Sequence, residues 1–258
     1  MSPDFTRVAP MCGRYASSRS PDDLIEEFEV VEDRTSAPLA VDYNVAPTKE
    51  VYAVVERPPS KDSPEPPERQ LRVFTWGLVP SWAKDPSIGN RMINARMETV
   101  AEKPAFKRAF AVRRCLLPAD GYFEWYPTSQ TNAKGKPVKQ PYFIRPADGG
   151  VLAMAGLYEI WRDPTRADDD PECFRWTCTV LTTQAEDSLG HIHDRMPLMV
   201  ERDRWAEWLD PRVGGELSLL VPAAPGSLEA YPVATLVSNV RNNGPELVAP
   251  LPLEEVSS

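Results

Sequence analysis

Phe174-Arg175-Trp176-Thr177-Cys178-Thr179-Val180-Leu181-Thr182-Thr183 alternates residue by residue. Phe174, Trp176, Cys178 and Val180 fall on one side of an extended chain, and Thr177, Thr179 and Leu181 on the other. That period of two, with aromatic and β-branched residues, predicts a strand. Val51–Val55 and Leu71–Trp76 read as hairpin partners across a Pro-rich, charged loop at 57–69. Arg114–Leu117, Tyr122–Trp125, Pro141–Arg145, Leu152–Trp161 and Tyr231–Val237 read as further strands. Tyr43–Thr48 reads as a loop. Helices are few. Ser20-Pro21-Asp22-Asp23 offers an N-cap, a first-turn proline and acids at the positive dipole end, which predicts a helix over 21–29 with Leu24, Ile25 and Phe28 on its apolar face. A helix-like stretch surrounds Phe106–Phe110, and Trp205, Trp208 and Leu209 share helical spacing as core. Many short strands with few helices indicate an α+β domain dominated by a curved antiparallel or mixed sheet. There is no internal repeat and no clear domain boundary.

The 258 residues can bury a substantial core. No apolar run approaches the roughly 18 residues of a membrane span, and residues 1–10 lack the apolar stretch of a signal peptide. The net charge of −9 argues weakly against a nucleic-acid partner. Between Lys84 and Arg114, however, eight basic residues face three acidic ones, either as a solvated helix face or as a local electrostatic footprint. The four cysteines contain no C-x-x-C pair, and His191 and His193 are not spaced from them as in zinc modules, so no metal is expected. Free thiols in a reducing cytoplasm are the default. Cys115 and Cys178 lie in apolar runs and read as buried; Cys173 lies in an acidic segment and reads as exposed.

Cys12 follows Met11 directly. Once its amine is free, this residue carries an amine and a thiol on adjacent carbons. The amine titrates near ~8 and the thiol near ~8.5, so both are partly nucleophilic at neutral pH. Such a 1,2-aminothiol condenses with aldehydes to a Schiff base and then a thiazolidine. Glu124, between Phe123 and Trp125, is either the outward residue of a strand or a desolvated carboxyl suited to acid–base work. His193 is either a packed ring or a proton shuttle. Arg96 and Arg195 either bind phosphates or pair internally with Glu98 and Asp194. Asn94 either forms a turn or donates to a carbonyl or hydroxyl, and Trp82 is either core or a surface that stacks on a base.

Met-Cys-Gly-Arg-Tyr-Ala, Tyr-Asn-Val-Ala-Pro, Trp-Gly-Leu-Val-Pro-Ser-Trp, Ile-Asn-Ala-Arg-Met-Glu-Thr, Gly-Tyr-Phe-Glu-Trp and His-Asp-Arg-Met-Pro occur in that order. Together they resemble the SRAP family, the SOS response-associated peptidases, also known as abasic-site processing proteins that crosslink to damaged DNA. The resemblance spans roughly Met11 to Pro250. It implies one SRAP-like domain over 11–250, with curved sheets forming a barrel-like core and peripheral helices, flanked by an N-terminal extension (1–10) and a C-terminal tail (251–258). It implies a positive groove for single-stranded DNA containing abasic sites, with no cofactor, no metal and no membrane. By motif, Cys12 corresponds to the cysteine that becomes linked to DNA, Asn94 to the asparagine at the opened sugar, Glu124 to the family glutamate and His193 to the histidine before Asp-Arg. Arg96 and Arg195 correspond to phosphate-binding arginines, joined less firmly by Arg14. Trp82 corresponds to the aromatic loop that unstacks DNA, although the loop reads Pro-Ser-Trp-Ala-Lys rather than carrying a doubled tryptophan.

The expectation is therefore a thiazolidine crosslink through Cys12, with AP-lyase chemistry as a side activity. An amide to Met11 would block the amine. A start at Met11, with residues 1–10 a mis-assigned extension and Met11 removed by a methionine aminopeptidase, which prefers a small second residue such as cysteine, is favoured over self-cleavage before Cys12, for which Cys12, His193 and Glu124 supply thiol-peptidase chemistry. A monomer in the cytoplasm, at the nucleoid when on DNA, is the default. A non-covalent DNA reader and a general thiol peptidase are the competing classes.

Overall fold

The computed structural model describes residues 12–59, 63, 65–171, 173–185 and 189–252. The alternating stretch is strand β11 (Phe174–Gln184), and it closes a barrel. In chain order the other strands are β1 (Tyr15–Ser17), β2 (Glu32–Asp33), β3 (Asp42–Val45), β4 (Glu50–Arg57), β5 (Glu68–Trp76), β6 (Asn94–Arg96), β7 (Arg114–Ala119), β8 (Gly121–Thr131), β9 (Pro137–Pro146), β10 (Leu152–Arg162), β12 (Arg195–Pro197) and β13 (Leu228–Pro232). The helices are α1 (Pro21–Glu27), α2 (Lys107–Val112) and α3 (Trp205–Leu209). β11 pairs antiparallel with β10, β10 with β7, β7 with β4 and β4 with β5; β5 returns to β11 in parallel, Thr177 opposite Thr75 and Cys178 opposite Trp76. Five strands thus form a closed mixed barrel, which leaves no free edge among them.

Alternation assigns the two faces. Val51, Ala53, Phe74, Cys115, Leu117, Met154, Cys178 and Val180 fill the barrel. Tyr52, Val54, Leu116, Leu157 and Leu181 face outward against Leu24, Phe28, Phe110, Trp205 and Trp208, so the short helices cover the outside. Both faces are dry, which is why β7 reads as an unbroken run. α1 starts as its sequence requires: Asp23 N donates to Ser20 Oγ at 3.2 Å, and Ser20 N donates to Asp23 Oδ2 at 3.1 Å.

A second sheet, ordered β13-β9-β8-β1-β3, lies beside the barrel. The C-terminal segment covers its outer face, packing Val233, Val237 and Leu247 on Ala16, Phe123 and Phe143.

The sequence expectation lacks the short strands β1, β2, β6 and β12, and it differs elsewhere as well. Residues 42–45 are strand β3, not loop, because Val45 pairs with the distant Tyr15. The strand expected over 231–237 is β13 at Leu228–Pro232, and Val237 sits in a 3-10 turn (Thr235–Ser238). Cys173 is buried, not exposed. The acidic segment around it folds on its own arginines, through Arg162–Asp168, Arg166–Asp170 and Arg175–Asp163 pairs, and encloses the thiol. No helix among the described residues is long and apolar enough to cross a membrane.

Candidate active site

Cys12 leads into β1, which lies between β3 and β8. Tyr15 pairs with Tyr122, two residues before Glu124 on β8. That register brings the two residues together across 112 positions of sequence: Cys12 N donates to Glu124 Oε1 at 2.8 Å. Both are buried, Cys12 at 3% exposure and Glu124 at 4%. Glu124 is therefore not an outward strand residue. The C-terminal segment covers one face of β8 and the barrel cluster the other.

Burial sets the chemistry of both groups. Desolvation raises the Glu124 carboxyl from 4.5 to about 7, and the nearby Asp194 charge adds to it. The Cys12 N–H and Lys139 pull the other way. Desolvation first, then Glu124, push the Cys12 thiol well above its ordinary value. Cys12 also has φ 45°, a left-handed backbone uncommon outside glycine.

Glu124 opens onto a cavity of about 760 Å³ lined by Gly13, Arg14, Trp125, Lys139, His193 and Ser238, among others. His193 Nδ1 accepts the Arg195 amide at 3.0 Å, which leaves Nε2 as the protonated nitrogen of the neutral ring. Asp194 also lies 3.0 Å from Nδ1, but in that tautomer it shares no proton with it.

The remaining sequence candidates flank the far half of β11. β6 runs parallel to it, with Asn94 opposite Val180 and Arg96 opposite Thr182; β12 places Arg195 opposite Gln184. Arg195 gives Nη2 to Glu98 Oε2 at 3.0 Å and to Thr182 O at 2.6 Å. These bonds hold the Glu98 carboxyl below its usual range. Arg195 thus pairs with Glu98, not Asp194. Arg96 is exposed and forms no ion pair among the described residues. Trp82 is 60% exposed, so it is not core. Its loop is held where Gly77, at φ 131°, crosses Gly89; a Cβ on Gly77 would meet the Gly89 carbonyl oxygen at 2.7 Å. Cys12, Glu124, Arg14 and His193 thus surround or adjoin one cavity. Arg195 is tied to it through His193, whereas Asn94, Arg96 and Trp82 are not among its lining residues.

Asn44 is the residue that sequence reading missed. It is fully buried. Its Oδ1 accepts Arg14 Nη1 at 2.7 Å, and its Nδ2 donates to Val237 O, Asn239 O and Asn242 O at 3.3, 3.0 and 2.9 Å. Trp125 Nε1 ties Ser238 Oγ to the same wall at 3.0 Å. Asn44 therefore fixes Arg14 and the C-terminal segment together. Asn44→Ala should destabilise the fold by about 3 kcal/mol, because it strands several buried polar groups. Urea unfolding measures the loss.

A second expected outcome concerns pH. In the full chain, where Cys12 N is an amide, folded Glu124 keeps its proton up to about 7 while the unfolded group loses it near 4.5. The folded state then binds more protons across that window, so its stability falls as pH rises through it, by about 3 kcal/mol in all. Glu124→Gln removes this fall. The difference between wild type and variant in urea unfolding at pH 5 and pH 8 isolates it, because Glu56 and Glu159, also raised by burial, titrate in both proteins. An identical pH dependence in the two proteins would contradict the burial argument.

Among the described residues no three His, Cys, Asp or Glu side chains cluster as metal ligands. The fold and site define a thiol-centred β-barrel protein: a buried cysteine whose nitrogen is held by a carboxyl at the wall of an open cavity. The chain belongs to the family described as SOS response associated peptidase (SRAP), whose model matches residues 11–240. It is 36% identical over 241 residues to the abasic site processing protein YoqW of Bacillus subtilis (strain 168), covering 92% of this chain and 99% of that one. It is 33% identical over 250 residues to the abasic site processing protein YedK of Escherichia coli (strain K12), covering 93% and 100%. The Xenopus tropicalis abasic site processing protein HMCES is 28% identical over 281 residues, covering 95% and 80%. A Bacteroides thetaiotaomicron crystal structure shares the fold, with a TM-score of 0.75 at 24% identity, covering 93% of this chain and 100% of that one.

Proposed function

We propose that this chain processes abasic sites in single-stranded DNA by capturing the opened sugar as a thiazolidine on Cys12. The observation that carries this reading is the 2.8 Å contact between the Cys12 nitrogen and Glu124, beside an open cavity. The released α-amine attacks the aldehyde carbon of the ring-opened deoxyribose. Glu124 takes the ammonium proton before that attack, a nitrogen proton passes to the new alkoxide, and Glu124 then gives its own proton to the carbinolamine hydroxyl, which leaves as water. The thiol then adds to the imine carbon, and its proton ends on the nitrogen. The order follows from the electrostatics. The thiol is held protonated by burial and by the Glu124 charge, whereas the amine sits on a base. His193 assists opening at the sugar oxygen, and Asn94 orients the sugar. Arg14, Arg96 and Arg195 hold phosphates, with DNA displacing Glu98 from Arg195. Trp82 stacks beside the lesion. An imine that does not close permits β-elimination, a lyase side reaction. The protein acts as a monomer, without cofactor, on DNA in the cytoplasm.

The amine must first be exposed, either because translation begins at Met11 and an aminopeptidase removes that methionine or because the chain cuts itself before Cys12. Glu124 serves the second route as well, since the nitrogen it holds is the one that the bond to Met11 would release. The Cys12 thiol adds to the preceding carbonyl carbon with its proton passing to the carbonyl oxygen. The C–N bond then breaks as protonated Glu124 gives its proton to the nitrogen and takes back the oxygen-bound proton as the carbonyl re-forms, and water hydrolyses the thioester. The left-handed backbone at Cys12 stores strain of roughly 1–3 kcal/mol that cleavage relieves.

Single-stranded DNA with one abasic site, run on a denaturing gel, tests the proposal. A slow band with the N-terminally processed wild type that is lost in Cys12→Ala supports it. Salt-sensitive binding without that band in the processed wild type makes the chain a non-covalent reader. Arg96→Ala should weaken capture and lower the salt slope of binding by about 0.7.

A further inference from the structure

At the other end of β11 from Arg96 and Arg195, a second group of cations gathers around one ring. Arg57 of β4 and Arg72 of β5 lie over Trp176, their guanidinium carbons 4.9 and 4.5 Å from its centroid. Trp176 is fixed by stacking on Phe74 and Tyr158. The arginines have only neutral acceptors among the described residues. Arg72 Nε and Nη2 donate to Gln70 Oε1 at 2.9 and 2.7 Å, and Arg57 Nη1 donates to Tyr158 Oη at 3.2 Å. A third cation, Arg34, pairs with Glu32 at 2.6 Å. Glu32, held by Arg34 and by Gln70 Nε2 at 3.0 Å, is the carboxylate nearest in influence to Arg72, but it contacts neither Arg57 nor Arg72. Two half-buried guanidinium groups side by side with no carboxylate in contact are costly, and an incoming anion lowers that cost. Stacking on the indole also holds their planar forks in place to meet it.

A cavity of about 560 Å³ is lined by Arg34, Leu39, Glu50, Arg72, Phe174 and Trp176 among others, within the size range of small-molecule sites, and Arg57 adjoins it through the shared Trp176 ring. Its one carboxylate, Glu50, is exposed. Phe174 lines the cavity and is 51% exposed, a free aromatic face of the kind on which bases stack. None of its lining residues belongs to the cavity beside Glu124.

We infer that this end of the barrel is a second binding site, which takes the phosphate of a nucleotide on Arg57 and Arg72 and its base against Phe174. The nucleotide is either free or part of a strand; the phosphate and base chemistry is the same. The inference does not depend on the reading of Cys12.

Calorimetric titration with deoxyadenosine monophosphate, with deoxyadenosine and with an undamaged single-stranded oligonucleotide tests it. The monophosphate should bind saturably to wild type and equally to Arg195→Ala, which identifies a free nucleotide as sufficient. The oligonucleotide also meets the groove beside Cys12, so only the part of its binding that is lost in Arg57→Gln and kept in Arg195→Ala counts; that part without monophosphate binding identifies the strand. Arg72→Gln and Arg57→Gln should each weaken binding by at least about tenfold, the scale of a charge-assisted hydrogen bond. Phe174→Ala, at an exposed position, keeps the test open if Arg72→Gln fails to fold, and it should weaken the nucleotide but not inorganic phosphate. Arg57→Gln should leave capture of abasic DNA at Cys12 unchanged. No saturable binding of either phosphorylated probe, equal binding of deoxyadenosine, or binding unaltered by both Arg57→Gln and Phe174→Ala would overturn the inference.

Discussion

A chain that begins at Cys12 is expected to form a denaturation-resistant complex with abasic single-stranded DNA, and the chain that keeps residues 1–11 is expected to form none. The amide nitrogen of a Met11–Cys12 bond has no basic lone pair, so it cannot open the route to an imine. The thiol of such a chain could add to the aldehyde only as a hemithioacetal, which dissociates on denaturation. Burial and Glu124 hold that thiol protonated, which slows even this addition. A chain that begins at residue 12 with Cys12→Ser separates the two nucleophiles. Its amine should still form an imine that borohydride traps, but without reductant the complex should fall apart, because no sulfur closes the ring. Intact mass and a denaturing gel read all three proteins. A durable crosslink from the chain with residues 1–11 still attached at the end of the reaction would remove the aminothiol mechanism.

How much of this was legible in sequence depends on the range of the contacts. β11 could be read because its alternation is local, and β7 because both of its faces are buried. β3 could not: residues 42–45 become a strand only through pairing with β1. Cys12 stood out by position, and Glu124 by its aromatic neighbours. Their contact spans 112 residues, and the burial that lifts the carboxyl to about 7 depends on the distant barrel cluster and C-terminal segment. Asn44 lay in a recognised motif, yet its partners Val237, Asn239 and Asn242 follow it by about 200 positions. Arg195 was open to two readings, and the free protein shows the internal pair: its guanidinium is held by Glu98 and Thr182, while its backbone amide reaches His193.

Glu124→Gln in the chain that begins at Cys12 is expected to slow crosslinking by roughly a hundredfold to ten-thousandfold, the usual contribution of a positioned acid–base group. The pH profile should change with it. The reactive pair holds one proton between amine and carboxyl, as ammonium with carboxylate or as amine with carboxylic acid. The second form attacks the aldehyde and then donates to the departing hydroxyl. Below the range in which the pair loses its first proton, the amine is capped. Above the range in which it loses the second, no acid remains for dehydration. Wild type should therefore give a bell with limbs that belong to the coupled pair. A free ammonium 2.8 Å from Glu124 pulls the carboxyl below the value of about 7 that it has beside an uncharged amide, and the carboxylate raises the amine above its ordinary value near ~8. The side-chain amide that Glu124→Gln introduces cannot take up or return a proton. The variant should lose the falling alkaline limb, and its remaining slow rate should rise through the titration of the amine alone, at a lower pH than the amine titrates in wild type, because its anionic partner is gone. Single-turnover capture of an abasic oligonucleotide from pH 5 to pH 9.5 measures both effects. A variant that keeps the wild-type rate and bell would show that Glu124 holds the Cys12 nitrogen without moving its proton, and would leave His193 as the acid of the reaction.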